Sequence, residues 1–294
     1  MKKVGIVVVT YNRYELLKEV IDALRQQTYQ DFQIIVVNNG STDETSNWLS
    51  LQEDIITITQ RNVGGAGGFY TGMNFVAENG YEFCWIMDDD VICKDNSLEE
   101  LLEGYKIVGE AGFLCSKVIG LDGTPMNVPY IDERHTADTY PNYYEFIEDQ
   151  ILKVKRATFV SVIFSSEIVR KVGLPIKEFF IWGDDSEFTL RISKLLPCYL
   201  CCRSIVVHKR AIQGNITFES ENNPNRIKNY FYLYRNHLYI DRKYVGIKAF
   251  ALSYCRLFIM CVNQFLRFKW SKFLILLKVL VCSPAFNPKV QYPK

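Results

Sequence analysis

The chain has 294 residues, of which 48% are apolar and 23% are charged. This length and composition are typical of one large folded domain, or of one domain plus an appendage, and they exclude a mainly disordered chain. The formal net charge is only +1, but residues 226–294 hold 13 Lys and Arg against a single acidic residue. Residues 1–225 hold 21 basic and 32 acidic side chains. The basic C-terminal part therefore suggests contact with nucleic acid or anionic lipid.

The nine cysteines show no pattern of a disulfide framework, which fits a reducing cytosol. Near the N-terminus, the apolar run Val4–Val9 is too short for the apolar region of a signal peptide and continues into a polar loop. We interpret this run as the first strand.

The first 60 residues alternate between apolar runs typical of buried strands and segments with helical spacing. The predicted strands are Val4–Val9, Phe32–Val37 and Ile55–Thr59, and the predicted helices are Glu15–Gln27 and Glu44–Leu51. This order is typical of a parallel sheet with right-handed crossovers. The first two strands end in the polar motifs TYNR at 10–13 and NNGSTD at 38–43. Ligands bind at such carboxyl ends in open α/β sheets.

A glycine-rich stretch follows the third strand, with four glycines in the five positions 64–68. Glycines allow the backbone to pass close to a ligand and to present amide hydrogens to phosphate or ribose. The stretch does not match the dinucleotide pattern GxGxxG or a phosphate-binding loop. The alternative is a flexible turn before a predicted helix at Tyr70–Glu78, and both interpretations stay open.

An apolar strand containing Phe83 and Trp85 leads directly into Asp88, Asp89 and Asp90. Adjacent carboxylates repel one another and are costly to desolvate unless a cation lies among them. Because alternate residues of an extended chain point the same way, Asp88 and Asp90 can converge while Asp89 faces elsewhere. Such oxygen ligands are expected for Mg²⁺ or Mn²⁺ carrying a nucleotide diphosphate. The alternative is a solvated acidic turn.

The middle of the chain is predicted to contain two further helices and two further strands. They are the helix Leu98–Val108, the strand Gly112–Ile119, a strand over 154–164 and the helix Glu167–Lys171. The segment 120–150 is polar, rich in aromatic residues and without periodicity. Because long loops in compact domains tend to be functional, we expect this segment to lie near a substrate.

A second acidic cluster, Asp184, Asp185 and Glu187, follows an aromatic run that includes Trp182. Carboxylates at the start of a helix are favoured by the helix dipole and by free amide hydrogens, so a simple helix cap is one interpretation. A cap needs one aspartate, and the excess of carboxylates favours a catalytic role.

A strand at Ile205–Val207 ends in His208, one of three histidines in the chain. A single histidine is more often structural than a ligand. At a strand end, however, an imidazole could complete a site begun by two carboxylates.

Taken together, five motifs resemble those of family 2 glycosyltransferases with the GT-A fold. They are TYNR at 10–13, NNGSTD at 38–43, DDD at 88–90, WGDDSEF at 182–188 and the later His208. The resemblance covers residues 4 to about 240. It implies an α/β fold with a mainly parallel nucleotide-binding sheet flanked by helices, and a C-terminal helical extension. We place the catalytic domain at residues 1–225 and the extension at 226–294.

The resemblance also implies roles for individual residues. The uridine and ribose pocket would be lined by Thr10, Tyr11, Asn39 and Arg61, with Asp89 near the ribose and diphosphate. The metal ligands would be Asp88, Asp90 and His208, the general base Asp185, and the acceptor contacts Trp182, Asp184 and Glu187. Many relatives carry Asp at the position of Asn39.

The implied activity is an inverting, metal-dependent transfer of a sugar to a growing, lipid-linked cell-surface glycan. The stretch NVGGAGGFYTG at 62–72 resembles the galactofuranosyltransferase branch, which implies UDP-galactofuranose as donor. One alternative is a rhamnosyltransferase that uses dTDP-rhamnose. Two alternatives of other classes are a sugar nucleotidyltransferase and an inactive membrane-bound assembly subunit.

Two apolar segments in the C-terminal part, Tyr244–Val262 and Phe273–Val281, are interrupted by Lys248, Arg256 and Lys278. A membrane-spanning helix needs about 20 largely uncharged residues, so these segments suit helices that lie in a lipid interface. The alternative is a pair of core helices. The aliphatic character of the two segments disfavours binding to nucleic acid. We therefore expect a cytoplasmic enzyme that is peripheral to the inner face of the cell membrane.

Overall fold

The computed structural model describes residues 2–135, 140–209 and 217–294. Its strands are β1 Val4–Thr10, β2 Phe32–Asn38, β3 Ile55–Thr59, β4 Phe83–Asp88, β5 Val91–Cys93, β6 Leu114–Ile119, β7 Tyr130–Ile131, β8 Ile151–Arg156, β9 Ser161–Ser165 and β10 Cys198–His208. Its α-helices are α1 Tyr14–Arg25, α2 Thr45–Leu49, α3 Gly64–Glu78, α4 Ser97–Val108, α5 Ser166–Val172, α6 Asp184–Ser193, α7 Pro224–Ile240, α8 Ile247–Leu266 and α9 Trp270–Cys282.

The strands form one mixed sheet in the order β3-β2-β1-β4-β9-β6-β10-β8-β7, with β5 paired to β10. The first four strands of this order are parallel, as the alternation of strands and helices predicts. β9 runs antiparallel to both β4 and β6, and β6 is parallel to β10. The strands β1, β2, β4 and β10 therefore all point their carboxyl ends toward the same edge of the sheet.

The sheet is buried on both faces, which explains the continuous apolar run of β1. Ile6 and Val8 pack on one face with residues of α1 and α4. Val7 and Val9 pack on the opposite face with residues of α3 and α6. Because successive side chains of a strand point to opposite faces, one β-branched run supplies both cores.

The glycine-rich stretch is helical, which differs from both a ligand loop and a flexible turn. Helix α3 starts at Gly64 and includes all four glycines. A Cβ at Gly68 would overlap the side chain of Val9, and one at Gly72 would overlap Val7. Gly68 and Gly72 therefore let α3 pack closely on β1. Gly65 differs from them, since no atom lies within 4 Å of its added Cβ.

The predicted strand over 154–164 is two strands that do not pair with each other. β8 pairs with β10, whereas β9 pairs with β4 and β6. The short strands β5 and β7 lie in segments where the sequence predicts none. The pattern of apolar residues indicates which face of a strand is buried, but it does not indicate which strand pairs with it.

Contacts divide the chain into two units. The sheet unit comprises the described residues of Met1–Lys177, Asp185–Ala211 and Val290–Lys294. The helical unit comprises those of Glu178–Asp184 and Ile212–Lys289. This division differs from the predicted boundary at residue 225, because the segment before α6 groups with the C-terminal helices and the last five residues group with the sheet.

Within the helical unit, α7, α8 and α9 pack around a small core that includes Leu257, Leu276 and Val279. Of the described helices, α8 is long and apolar enough, by length and composition alone, to cross a membrane. This differs from the expectation that Lys248 and Arg256 exclude a span. Helix α9 has 13 residues, about 20 Å of helix, and is too short to cross an apolar layer of about 30 Å.

Candidate active site

The three aspartates lie at the carboxyl end of β4, in a tight connection to β5. Asp88 ends β4 beside Val9 of β1. Val91 of β5 pairs with His208, and the N–H of Lys209 donates to the carbonyl oxygen of Asp90 at 2.8 Å. The antiparallel pairing of β5 with β10 therefore brings the acidic turn, Asp88–Asp90, and the histidine to one point of the sheet edge.

The structure brings together Asp88, Asp90 and His208, the three residues predicted as metal ligands. One potential ligand atom from each lies within 4.8 Å of the other two. Nε2 of His208 is 3.2 Å from Oδ1 of Asp90, and both side chains are about nine-tenths buried. This donor set of two carboxylates and one imidazole suits Mn²⁺ or Mg²⁺.

A second residue determines which ring nitrogen of His208 faces the carboxylates. Nδ1 of His208 lies 2.9 Å from Oδ1 of Asn127, in the loop between β6 and β7. Because an amide oxygen only accepts hydrogen bonds, Nδ1 carries a proton and Nε2 is the nitrogen directed at Asp90. Orientation of a histidine by a partner on its other nitrogen is usual for histidines that bind metal.

Two observations indicate that the cluster fits a divalent cation: the distances between its donor atoms, and a buried carboxylate oxygen without a hydrogen bond of good geometry. Two donor atoms bound at about 2.1 Å and at right angles lie about 3.0 Å apart, close to the Asp90 to His208 separation. Within the described residues, Oδ1 of Asp90 is buried and accepts no hydrogen bond of good geometry. A buried carboxylate oxygen in this state is destabilising unless a cation binds it.

Arg13, which the sequence analysis did not single out, supplies a positive charge to the acidic turn from within the protein. One guanidinium nitrogen, Nη1, lies 3.0 Å from Oδ1 of Asp89 and 2.6 Å from Oδ2 of Asp90. Arg13 directly precedes α1 at the edge of the sheet, and 46% of its side chain is exposed. Arg13 meets part of the need for a cation, and Oδ1 of Asp90, which Arg13 does not contact, faces Nε2 of His208 instead.

The pKa values of two carboxyl groups in the acidic turn, Asp89 and Asp90, are shifted in opposite directions. Burial raises the pKa of Asp89 to about 6, although Arg13 and polar groups of Thr10 and Tyr11 oppose the shift. Burial acts on Asp90 in the same sense, but His208 and Arg13 together hold the pKa of Asp90 below its ordinary value. Asp90 therefore stays ionised, as a metal ligand must.

The residues predicted for the donor pocket lie along the same edge of the sheet. Thr10 ends β1, Asn39 follows β2, and Arg61 follows β3. Tyr11 is 45% exposed, whereas Asn39 is only 2% exposed. Contact of these residues with a nucleotide stays a prediction.

Asn39 has a structural role that the sequence does not reveal. Its Oδ1 accepts a hydrogen bond from Gln60 at 2.7 Å, and its Nδ2 donates to the carbonyl oxygen of Gly64 at 2.9 Å. The side chain therefore joins the end of β2 to the start of α3. Asn39 is buried and both ends of its amide are engaged in these bonds, so it has a structural role beside the predicted contact with uracil.

The three carboxylates near the start of α6 have different surroundings. Asp185 is partly exposed, whereas Asp184 is buried. Glu187 is fully buried and forms two hydrogen bonds with Arg191, at 3.0 and 2.9 Å. Asp185 therefore has the accessibility that a general base needs, and the predicted acceptor contact of Glu187 gives way to an ion pair inside the sheet unit.

Trp182 lies in the helical unit, in the segment immediately before α6. Its ring packs edge-on against Tyr230 of α7, with ring centres 5.3 Å apart. Its backbone φ is +62°, a left-handed conformation that is rare for a large side chain. Contact of Trp182 with an acceptor stays a prediction.

Residues 5–167, more than half of the chain, match the profile of the family described as glycosyl transferase family 2. The chain belongs to this family. This glycosyltransferase is 26% identical to galactofuranosyltransferase GlfT1 of Mycobacterium tuberculosis over 285 residues, which cover 90% of the chain and 86% of the relative.

The fold of this glycosyltransferase is similar to that of TarS from S. aureus. A TarS structure of residues 1–349 in complex with UDP matches with a TM-score of 0.57 and 14% sequence identity, over 97% of this chain and 72% of that one. A longer TarS structure matches with a TM-score of 0.58, and the chain spans 41% of its length. The mixed α/β glycosyltransferase fold and the C-terminal helical region, both expected from the resemblance, are therefore confirmed.

Proposed function

We propose that this family 2 glycosyltransferase moves galactofuranose from UDP-galactofuranose to a growing, lipid-linked cell-surface glycan, by an inverting and metal-dependent reaction. The observation that carries the proposal is the convergence of Asp88, Asp90 and His208 within 4.8 Å at the edge where parallel strands end. The choice of sugar rests on the similarity to galactofuranosyltransferase GlfT1 over most of both chains. The choice of UDP is supported by the fold shared with a UDP-bound TarS.

In this proposal the metal ligands hold a Mn²⁺ or Mg²⁺ ion. A bound ion of this kind stabilises the negative charge that develops on the leaving diphosphate. Arg13, which is nearly half exposed beside Asp89 and Asp90, adds a second positive charge on the same side. Tyr11 and Arg61 are exposed at the same edge and contact the nucleoside.

Asp185 acts as the general base. Its carboxylate takes the proton of an acceptor hydroxyl while that oxygen bonds to the anomeric carbon of the donor sugar. The bond from the anomeric carbon to the diphosphate oxygen breaks, and UDP leaves with the electron pair. A single displacement of this kind inverts the anomeric configuration, and a base of this type contributes about 10²- to 10⁴-fold to the rate.

The acceptor is lipid-linked in this proposal because the helical unit suits a membrane surface. Helix α8 exposes an apolar stripe with a seven-residue repeat, Leu252, Ile259 and Leu266. Phe268, in the turn between α8 and α9, and Trp270, the first residue of α9, are exposed among basic residues. Amphipathic aromatic rings and lysine or arginine side chains favour the interface of an anionic bilayer. The enzyme is then cytoplasmic and peripheral to the inner face of the cell membrane.

The test uses the full-length protein and a set of donors: UDP-galactofuranose, UDP-galactopyranose, UDP-glucose and dTDP-rhamnose. Release of nucleoside diphosphate is measured with Mn²⁺, with Mg²⁺ and with EDTA. We expect release from UDP-galactofuranose that depends on the ion and is lost in Asp88→Asn with the fold retained. A preference for dTDP-rhamnose would make that nucleotide sugar the donor instead. Full turnover in EDTA would exclude a role for a metal ion. No release from any donor would favour an inactive assembly subunit.

A further inference from the structure

The segment Phe179–Gly183, called here the aromatic loop, has an unusual backbone for its sequence. Phe180 and Trp182 have φ values of +66° and +62°, and Gly183 has +92°. Large side chains at positive φ crowd their own backbone, so such residues persist only where the surroundings enforce them. The loop ends where Asp184 and Asp185 open α6.

One buried side chain on α7 binds this loop at three points. The Nδ2 atom of Asn236 lies 3.0 Å from the carbonyl oxygen of Phe179, 3.3 Å from that of Ile181 and 2.8 Å from that of Trp182. The side chain of Asn236 is fully buried. Its two N–H groups therefore satisfy carbonyl groups that a helix or sheet would otherwise satisfy.

The orientation of the Asn236 amide is fixed by its neighbour. Nε and Nη2 of Arg235 donate to Oδ1 of Asn236 at 3.1 and 2.9 Å, which places Nδ2 toward the loop. Nη2 of Arg235 also donates to the carbonyl oxygen of Glu178 at 2.6 Å. The guanidinium group stacks on Phe286 at 3.8 Å from the ring centre. Arg235 and Asn236 thus form one rigid donor group.

The rings of the aromatic loop rest on rings from α7. Phe180 stacks on Tyr232 with centres 4.7 Å apart, and Trp182 packs edge-on against Tyr230 at 5.3 Å. These contacts fix side chains, whereas Asn236 fixes the backbone between them. Together they fix the backbone and the side chains of the aromatic loop, including Trp182.

We propose that Asn236 is a positioning residue for transfer of the sugar to the acceptor, because it holds the aromatic loop, and Trp182 within it, in one conformation. The proposal rests on the proposed function and on the predicted contact of Trp182 with the acceptor. Asn236 acts only through the loop, so its loss leaves nucleotide binding in place and impairs the transfer step. A displacement of about 1 Å in reacting groups can lower a rate about 100-fold.

The test compares Asn236→Ala and Asn236→Asp with the wild type and with the control Asn225→Ala, an exposed asparagine on the same helix. Asn236→Asp keeps the acceptor for Arg235 and removes both donors to the loop. Hydrogen exchange of a peptide over residues 178–186 measures the hold on the loop. Steady-state kinetics measure kcat and the KM for each substrate, and calorimetry measures UDP affinity.

We expect faster exchange in the 178–186 peptide of both Asn236 variants, a kcat for transfer reduced at least about tenfold, and UDP affinity within about twofold of the wild type. The control should match the wild type in every measurement. Unchanged exchange, or wild-type kcat in both variants, overturns the proposal. An equal loss of UDP affinity, kcat and melting temperature also overturns it, since that pattern describes general unfolding. Failure of the proposed function would give a different result. The wild-type protein would then show no sugar transfer, while hydrogen exchange of the 178–186 peptide would still be faster in the Asn236 variants.

Discussion

His208 and Asn127 meet through their side chains, although 81 residues separate them in the chain. Nδ1 of the histidine ring lies 2.9 Å from Oδ1 of the asparagine. Asn127 has a φ of +46°, so the loop between β6 and β7 holds it in a strained conformation at the point of contact. This contact joins the long segment after β6 to the predicted metal ligands.

The first prediction separates the side chain of Asn127 from its backbone. Asn127→Gly removes the amide and tolerates positive φ, so the free energy of unfolding should not fall. Affinity for Mn²⁺ should fall about 10- to 100-fold, because His208 loses the partner that orients it. Calorimetric titration with Mn²⁺ measures this effect. The control is Asn47→Ala, at an exposed residue, which should bind Mn²⁺ as the wild type does. Unchanged Mn²⁺ affinity in Asn127→Gly would show that Asn127 stabilises only the loop.

The second prediction concerns the positive charge of Arg13. Arg13→Gln leaves Asp89 and Asp90 without their internal cation, and should lower the free energy of unfolding by about 1–2 kcal/mol in EDTA. This is less than the loss of about 3–5 kcal/mol for a fully buried pair, because 46% of the Arg13 side chain is exposed. Addition of Mn²⁺ should raise the melting temperature of the variant more than that of the wild type.

The control for Arg13 is Arg25→Gln, which removes a surface ion pair with Asp54 at 2.8 Å. Its effect should stay below about 1 kcal/mol and should not depend on Mn²⁺. If both variants respond to the ion equally, the charges of Arg13 and the ion are not coupled, and the interpretation of the acidic turn as a cation site weakens.

The third prediction contrasts two carboxylates of α6. Asp185→Asn keeps size and shape but cannot accept a proton, so kcat for transfer should fall at least about 100-fold while UDP affinity is retained. Glu187→Gln removes the charge of a fully buried carboxylate that pairs with the largely buried Arg191, and should instead destabilise the fold, by about 3 kcal/mol. Steady-state kinetics measure kcat, and urea unfolding measures stability, for both variants. Loss of stability in the Asp185 variant with loss of kcat alone in the Glu187 variant would assign the catalytic role to Glu187.

The fourth prediction uses two glycines of α3 as a matched pair. Gly68→Ala should lower the free energy of unfolding by about 1–3 kcal/mol, because its Cβ would overlap Val9. Gly65→Ala meets no atom within 4 Å, and alanine favours a helix over glycine by up to about 1 kcal/mol, so stability should hold or rise. Urea denaturation compares them. Equal losses in both would mean that close packing on β1 is not the reason for the glycines.

The fifth prediction addresses the turn between α8 and α9. The double variant Phe268→Ser with Trp270→Ser should bind vesicles of phosphatidylglycerol and phosphatidylcholine more weakly than the wild type in a sedimentation assay. Binding of both should decrease with salt, since each basic residue near an anionic surface contributes about 1 kcal/mol. Leu51→Ser, at a residue that is 77% exposed in the sheet unit, should bind as the wild type does.

A membrane-spanning α8 is the competing outcome of that assay. Extraction at alkaline pH removes a peripheral protein from membranes and leaves a spanning one behind. Retention in the membrane after alkaline extraction would contradict the peripheral location. If the wild type does not bind vesicles at low salt, the apolar stripe does not bind lipid and has another partner.

Much of the catalytic architecture could be predicted from the sequence because it depends on local pattern. Continuous apolar runs predict β1 and β2, and polar motifs after them predict the functional edge. Three adjacent carboxylates after an apolar strand indicate a need for positive charge, whatever the fold. The composition by itself also gives the basic, apolar C-terminal part.

Only the tertiary structure decided which groups meet. The partners of the acidic turn, Arg13 and His208, come from distant segments. The histidine is brought there by pairing of β10 with β5, a short strand with no local signal in the sequence. The same holds for Asn236, whose bonds to the aromatic loop span 54 to 57 residues. Periodicity reports which side of an element is buried. It carries no information about register or about the partner of a polar side chain, because long-range packing alone sets those distances.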